Sequence, residues 1–331
     1  MSALQGVNLG SWLVLERWMI PEVFADVSAK DEHGLVAELG YEQAAERMAA
    51  HRETFITEGD FAAMKRQGFD FVRLPVGFWL FQETDGWVSG ENYVKQAFAW
   101  AEKHKLGVIL DIHGLPGSQN GKMHSGQLDQ IKFYEPDNQR QSLELVEYLA
   151  STYGPEPSLI GLQLINEPHI RVCPRRLLQY YDSAYKVAEK SLKADTKIIV
   201  SDAFWPNRMS WELARRDYGD QLVLDIHMYQ VFGKQFQSMS FEDHMSYMEG
   251  HWNPILSRVA KRIPILVGEW SGALPGSAHA GVSKQTQYIK SQQDLLKEHV
   301  WAQAYWSYKK SGSGAWSAQD MIQKNALKPY R

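Results

Sequence analysis

Cysteine is all but missing from this chain: Cys173 is the one thiol among 331 residues. An internal disulfide is therefore excluded, a cysteine-based zinc site is implausible, and Cys173 reads as a spare thiol. No block of lysine or arginine occurs, and the formal net charge is -4. Both facts argue against nucleic acid or an anionic membrane as the main partner. No apolar stretch approaches the length of a membrane span. Met1 is followed almost at once by the strand-like Gln5-Gly6-Val7-Asn8-Leu9, which leaves no room for a signal peptide. The expectation is a soluble monomer, cytoplasmic as written and secreted if an export segment has been removed. Asn-x-Ser/Thr acceptors, Pro/Gly/Ser-rich linkers and 20–50-residue repeats are absent as well, so residues 1–331 are read as one domain.

Aromatic residues are plentiful, with 12 Trp, 15 Tyr and 13 Phe. Most such rings pack cores. Trp79, Trp205, Trp270 and Trp306, however, stand beside candidate strand ends, where an indole can stack on the apolar face of a sugar. Short apolar strands alternate with amphipathic helices along the whole chain, a pattern that predicts parallel strands with crossover helices. Strands are expected near 5–9, 69–74, 106–112, 159–165, 197–201, 222–227, 264–268 and 301–306. Helices are expected over 58–67, 91–105, 138–152, 176–193, 242–260 and 283–298. Eight strands point to a closed (β/α)8 barrel of the TIM type. Two connections, Gly10 to about Thr57 and Gly114 to about Asp137, are far longer than βα loops usually are. In a barrel they rise over the active face.

That face is built from the C-terminal ends of strands, and two of these carry acids. Asn166-Glu167-Pro168 closes the apolar run 159–165, and Glu269-Trp270 follows Pro264-Ile265-Leu266-Val267-Gly268. Two carboxylates at strand tips suit glycoside hydrolysis, one as acid/base and one as nucleophile. The other tips are polar too: Arg73, Asp111-Ile112-His113, Ser201-Asp202, His227-Met228-Tyr229 and Tyr305-Trp306-Ser307. An arginine beside a carboxylate holds it ionised, as a nucleophile requires. Rival chemistries fit less well. His113, His124 and His227 have no His-Glu-x-x-His spacing for a metal. In 114–122 Pro116 stands where a phosphate loop needs its first glycine, and Met123 stands where it needs Ser/Thr. No Gly-x-Ser-x-Gly elbow supports a serine nucleophile. A catalytically silent sugar-binding barrel is the rival from another class.

Taken together these residues resemble glycoside hydrolase family 5, and within it the exo-β-1,3-glucanase group. Arg73, His113, Asn166 with Glu167, His227 with Tyr229, Glu269 and Trp306 fall in the family's order. The segments Gly6-Val7-Asn8-Leu9-Gly10-Ser11-Trp12-Leu13-Val14-Leu15-Glu16, His113 to Gly121 and Tyr229-Gln230-Val231-Phe232 resemble the exo-glucanase group. The resemblance implies a retaining β-glucoside hydrolase acting on β-glucan or a β-glucoside, most simply an exo-β-1,3-glucanase, with no cofactor and no metal. Glu269 is then the nucleophile and Glu167 the acid/base, with their carboxyls about 5–5.5 Å apart. Arg73, His113, Asn166, His227 and Tyr229 support them. Glu16, Trp306, Phe232, Trp205 and His124 are the substrate-binding candidates. One departure stands out: where the group usually reads Phe-Asp-Asn-Ser-Gly, this chain has Lys122-Met123-His124-Ser125-Gly126. A broader β-glucosidase is therefore the alternative activity.

Overall fold

The computed structural model describes residues 3–82, 84–169, 174–276 and 281–329; Cys173 lies outside them. Eight parallel strands close into a barrel in sequence order: β1 Leu4–Asn8, β2 Phe71–Gly77, β3 Gly107–Gly114, β4 Leu159–Gln163, β5 Lys197–Ser201, β6 Leu222–Met228, β7 Ile265–Trp270 and β8 Ala302–Tyr305. Each expected strand is present, and most differ at their ends by a residue or two. The main crossover helices are α3 Glu58–Gln67, α4 Glu91–His104, α5 Pro136–Tyr153, α6 Pro174–Ala188, α7 Pro206–Leu213 and α11 Gly281–His299. After the short α8 Lys234–Gln237, the helix expected over 242–260 is present but carries a π turn. It comprises α9 Phe241–Tyr247, a π turn at Met248–Trp252 and α10 Asn253–Ala260. Pro254 cannot donate to the carbonyl of Gly250, and the wider turn absorbs that missing bond. No helix among the described residues is long and apolar enough to cross a membrane.

Because strand side chains alternate, every second residue faces the barrel axis, and the interior is therefore layered. Phe71, Ile109, Ile199, Val223, Leu266, Ala302 and Ala304 form the dry lower layer. Gly6 is needed there, since a Cβ on it would lie 2.5 Å from the Phe71 ring. Two residues further along the strands the interior turns polar, with Asn8, Arg73, Asp111, Gln163 and Asp225, all buried.

Strict alternation from Leu266 would point Glu269 outward. The register prevents it. Asp225 pairs with Leu266 and His227 with Glu269 on one side, while Val267 pairs with Gln303 and Trp270 with Tyr305 on the other. β7 thus carries one residue more than either neighbour over this stretch. Such a bulge re-aims a side chain, and here it turns Glu269 to the interior.

The long connection after β1 has structure of its own, with α1 Glu32–Leu39 and α2 Tyr41–Phe55. Glu32 anchors it. One carboxylate oxygen accepts from the Leu15 backbone at 2.9 Å, and the other accepts from Trp79 Nε1 at 2.8 Å and Arg52 at 3.4 Å. This clasp fixes the backbone next to Glu16. Burial pushes the Glu32 carboxyl up to about 7, against the charge of Arg52. Removing Arg52 leaves that carboxylate unpaired whenever it is ionised. Arg52→Met should therefore cost about 3–5 kcal/mol at pH 8 and distinctly less at pH 5, where Glu32 takes up a proton. Thermal melts of wild type and variant at both pH values check this; an equal cost at both would show that the pair's charge is not what matters.

Candidate active site

Arg73 lies fully buried at the centre of the polar layer, and its guanidinium joins four other strands or their tips. Nε donates to Gln163 Oε1 at 2.9 Å, and Nη1 donates to Asn8 Oδ1 at 2.8 Å and Glu269 Oε1 at 3.1 Å. Nη2 donates to Asn166 Oδ1 at 2.8 Å and pairs with Asp111 Oδ2 at 3.0 Å. Tyr229 donates its hydroxyl to the other oxygen of Glu269 at 2.9 Å. Both oxygens of Glu269 are thus held, one by a cation and one by a phenol. Burial and the charge of Glu269 push the tyrosine's proton affinity well up, so it remains a donor.

Glu167 follows β4 in the left-handed region, with φ 43°. A non-glycine residue there is strained, a state usually kept where surrounding structure enforces it. Asn120 does so in part, donating from Nδ2 to the Glu167 carbonyl at 3.0 Å. His227 meets Glu167 Oε1 through Nδ1 at 2.6 Å, and its Nε2 meets Asp225 Oδ2 at 3.0 Å. His227 Nδ1 also lies 3.5 Å from Glu269 Oε2. Glu167, His227 and Glu269 each offer an atom within 4.8 Å of the others. That spacing suits the close pair of a retaining glycosidase and is too short for the roughly 6.5–9.5 Å of an inverting one. It is also a spacing that a metal ion can bridge. The donor set does not fit one, because both nitrogens of His227 are committed to carboxylates and Asp225 and Glu269 raise its affinity for a proton. An imidazolium has no lone pair to give.

Electrostatics splits the two glutamates. Burial alone would raise Glu167, but the hydrogen bond and charge of His227, joined by His124 and His113, outweigh it and bring the carboxyl down to about 2. Glu269 is raised by burial and by Glu167, against His227 and Arg73. The sequence led to the opposite split, with charge favoured on Glu269. The difference comes from His227, which lies nearer to Glu167 than to Glu269.

Other candidates fall around this pair. His113 Nδ1 meets Asp111 Oδ2 at 2.6 Å, and its ring lies flat against Trp306, centroids 5.6 Å apart. Glu16 is buried and accepts from Trp18 Nε1 at 2.9 Å, with its carboxyl pushed to about 7 by burial. His124 Nε2 lies 3.3 Å from Glu167 Oε2. Phe232 is largely exposed and leans on Tyr229 and Trp316. Trp205 is the exception. It heads α7 with a half-exposed ring, and among the described residues no hydrogen bond or ring contact of its side chain joins it to the carboxylates. Trp79 and Trp270 are not sugar platforms either. Trp79 is fully buried, bonded to Glu32 and stacked on Trp87, and Trp270 packs edge-on against Tyr305.

Sequence reasoning assigned no role to Asn8, Gln163 or Asp225, and gave Asp111 none beyond its place at a strand end. A signal for the two acids was present: Asp111-Ile112-His113 and Asp225-Ile226-His227 repeat one tripeptide. At period two this places an acid beneath each histidine on the same face.

Residues 37–312 match the Cellulase (glycosyl hydrolase family 5) model. A probable glucan 1,3-beta-glucosidase A of Emericella nidulans is 30% identical, over 96% of this chain and 88% of the relative. Glucan 1,3-beta-glucosidase 1 of Schizosaccharomyces pombe is 35% identical, over 82% of this chain and 69% of its own. Among solved structures, rutinosidase from Aspergillus niger superposes with a TM-score of 0.83 at 20% identity, covering 98% of both chains. The Cel5A endoglucanase of Thermotoga maritima gives 0.65 at 18% identity, over 97% of this chain and 93% of that one. At such identities the two structures speak for the fold alone. Barrel, paired strand-tip glutamates, family model and relatives all agree: this chain belongs to glycosyl hydrolase family 5.

Proposed function

We propose that this enzyme releases glucose from the non-reducing ends of β-1,3-glucans with retention of configuration. The observation that carries this reading is the carboxyl pair within 4.8 Å, with Glu269 held on both oxygens. The names of the fungal relatives supply the substrate class. Glu269 attacks the anomeric carbon as the glycosidic bond breaks, and the proton of Glu167 goes to the leaving oxygen. Water then attacks the same carbon, gives its proton to Glu167 and frees Glu269. Asn166, steadied by Arg73, is placed to meet the sugar 2-hydroxyl. Trp306 floors the glucose site, and Glu16 clamps the far side of the ring.

The proton for the first step is held by Glu167 and His227 jointly. At 2.6 Å one proton serves both partners, and its transfer from Nδ1 to the carboxylate turns an ion pair into a neutral acid beside a neutral imidazole. A broader range of leaving groups is the second reading. Phe232 supports it, because the ring leans on Tyr229 and Trp316 while exposed Lys122 stands where the exo-glucanase group usually has phenylalanine.

Glu269→Ala should lose several orders of magnitude in turnover, since no other group can form the covalent intermediate. Azide should restore part of it on an activated aryl glucoside and yield the α-glucosyl azide; in Glu167→Ala it should yield the β-azide. Product stereochemistry read by NMR decides, and swapped products would reverse the two roles.

The alkaline side of the pH profile tests where the proton sits. Burial lowers the proton affinity of His227, yet Glu269, Asp225 and Glu167 raise it well above the ordinary histidine value. The active form is therefore kept below that raised value and lost as pH climbs through it. Asp225→Asn removes one of the raising charges, and an opposite charge at such range is worth about 1–3 pKa units. The basic limb of kcat/KM on an aryl β-glucoside should move to lower pH by about one unit or more. An unmoved limb would place the titrating proton elsewhere.

A further inference from the structure

Just past the end of β5 stands Asp202, whose side chain is buried, with 4% of the residue exposed. No step of the bond cleavage uses it. Ser201 Oγ accepts from the Ala203 backbone N–H at 3.1 Å, and Asp202 Oδ1 accepts from that of Phe204 at 2.9 Å. These two bonds hold a turn in which Ala203 and Phe204 lie at φ 49° and 62°, two successive non-glycine residues in the left-handed region. Such a conformation persists only where its surroundings enforce it. The carboxyl is thereby fixed through one oxygen. The other, Oδ2, meets no hydrogen-bond donor or cation among the described residues, yet it is not among the buried atoms closed off from solvent. Buried polar groups are as a rule hydrogen-bonded, so this oxygen calls for a partner from outside the protein.

Its place in the barrel indicates which part of a substrate it meets. The charged groups that bear on Asp202 are His227, Asp225 and Glu167, all of the catalytic site. Glu167 follows β4 and serves the oxygen of the scissile bond, and the strands on either side of β4 are β3 and β5. His113 of β3 lies flat against Trp306 and so belongs with the floor under the glucose that is cleaved off. The tip of β5 is left for what lies beyond the bond. Burial pushes the Asp202 carboxyl up to about 7, against the Phe204 N–H and His227 and with Asp225 and Glu167 adding to the rise. Below that value it carries a proton and can donate as well as accept.

We infer that Asp202 is a specificity-determining residue whose free carboxyl oxygen hydrogen-bonds a hydroxyl of the leaving group, so that the enzyme favours a second sugar there over a bare aromatic ring. No covalent bond forms or breaks at Asp202. This inference rests on Glu167 being the acid/base, and it deepens the proposed action on glucans by naming a contact to the sugar that departs.

Asp202→Ser keeps an oxygen for the Phe204 N–H and removes the second one. Asp202→Asn keeps both positions polar, and near pH 5, where the carboxyl holds its proton, an amide is its nearest mimic. Both variants are assayed against wild type at that pH on phenyl β-glucoside and on whichever of laminaribiose, cellobiose and gentiobiose the wild type cleaves best. Both kinds of substrate need the acid and place the same glucose over Trp306, so damage to Glu167 or to the glucose site lowers the two alike. A contact to the departing sugar is lost by the disaccharide alone. For Asp202→Ser the loss in kcat/KM should be about tenfold larger on the disaccharide, the worth of one hydrogen bond. Asp202→Asn should recover most of that difference.

Equal losses on the two substrates, or Asp202→Asn behaving like Asp202→Ser, would overturn the inference and leave the acid/base assignment and the action on glucans as they stand. A wild type that turns over phenyl β-glucoside and none of the disaccharides would overturn the inference together with that action.

Discussion

A buried guanidinium organises this enzyme. Arg73 is a full charge with no exposed surface, and taking such an ion out of water is repaid only by good geometry and full hydrogen bonding. The repayment comes from β1, β3, β4 and β7 at once, through Asn8, Asp111, Gln163 and Glu269. Each partner must arrive at the right height on its own strand. A slip of one residue in any of them would turn a partner outward and leave the arginine unpaired. The barrel's register is thus tied to the chemistry above it, and the bulge in β7 belongs to the same constraint. Gly268 lies within that bulge. Its N–H bonds Asp225, and a Cβ there would sit 2.3 Å from the same carboxylate.

Above Arg73 the problem changes from one cation to too many anions. Asp111, Asp225, Glu167 and Glu269 crowd a space with one permanent positive charge. His227 relieves it by standing among three of these carboxylates, so a proton retained there does the work of a second cation. Proton and charge are therefore stored away from the atoms that will react. Glu167 is held charged in the resting site and Glu269 is raised, whereas catalysis calls for the reverse at the instant of bond cleavage. The 2.6 Å contact between His227 and Glu167 makes the exchange short. No distant group has to move.

The strands and both glutamates were legible because the signal was local: apolar runs ending in acids. The site's inward set was partly legible through period two, as the repeated Asp-Ile-His tripeptide illustrates. Glu269 was harder. Its inward aim depends on an extra residue in β7 that only pairing with β6 and β8 reveals. Trp79 and Trp270 misled, because nearness to a strand tip in sequence does not tell which face a ring takes. The Glu32 clasp was invisible for a related reason. Its partners Leu15, Arg52 and Trp79 come from separate segments, and nothing in any one of them announces the others. The π turn between α9 and α10 has a local mark in Asn253-Pro254, although the amphipathic pattern continues across it.

Floor and rim differ in how tightly they are determined. In the floor, each functional group also satisfies the buried arginine or a buried carboxylate, so a substitution there disturbs stability and chemistry together. The rim is made by the connections after the strands, which, Asn166 apart, do not bond that guanidinium. Trp18, Trp316 and Phe232 form one aromatic wall there, with Trp18 edge-on to Trp316 at 5.3 Å. Lys122 and Met123, where the chain departs from the exo-glucanase pattern, lie in the connection after β3. His124 is the one residue of that connection whose ring reaches down to Glu167, which makes it the point where the rim and the chemistry meet.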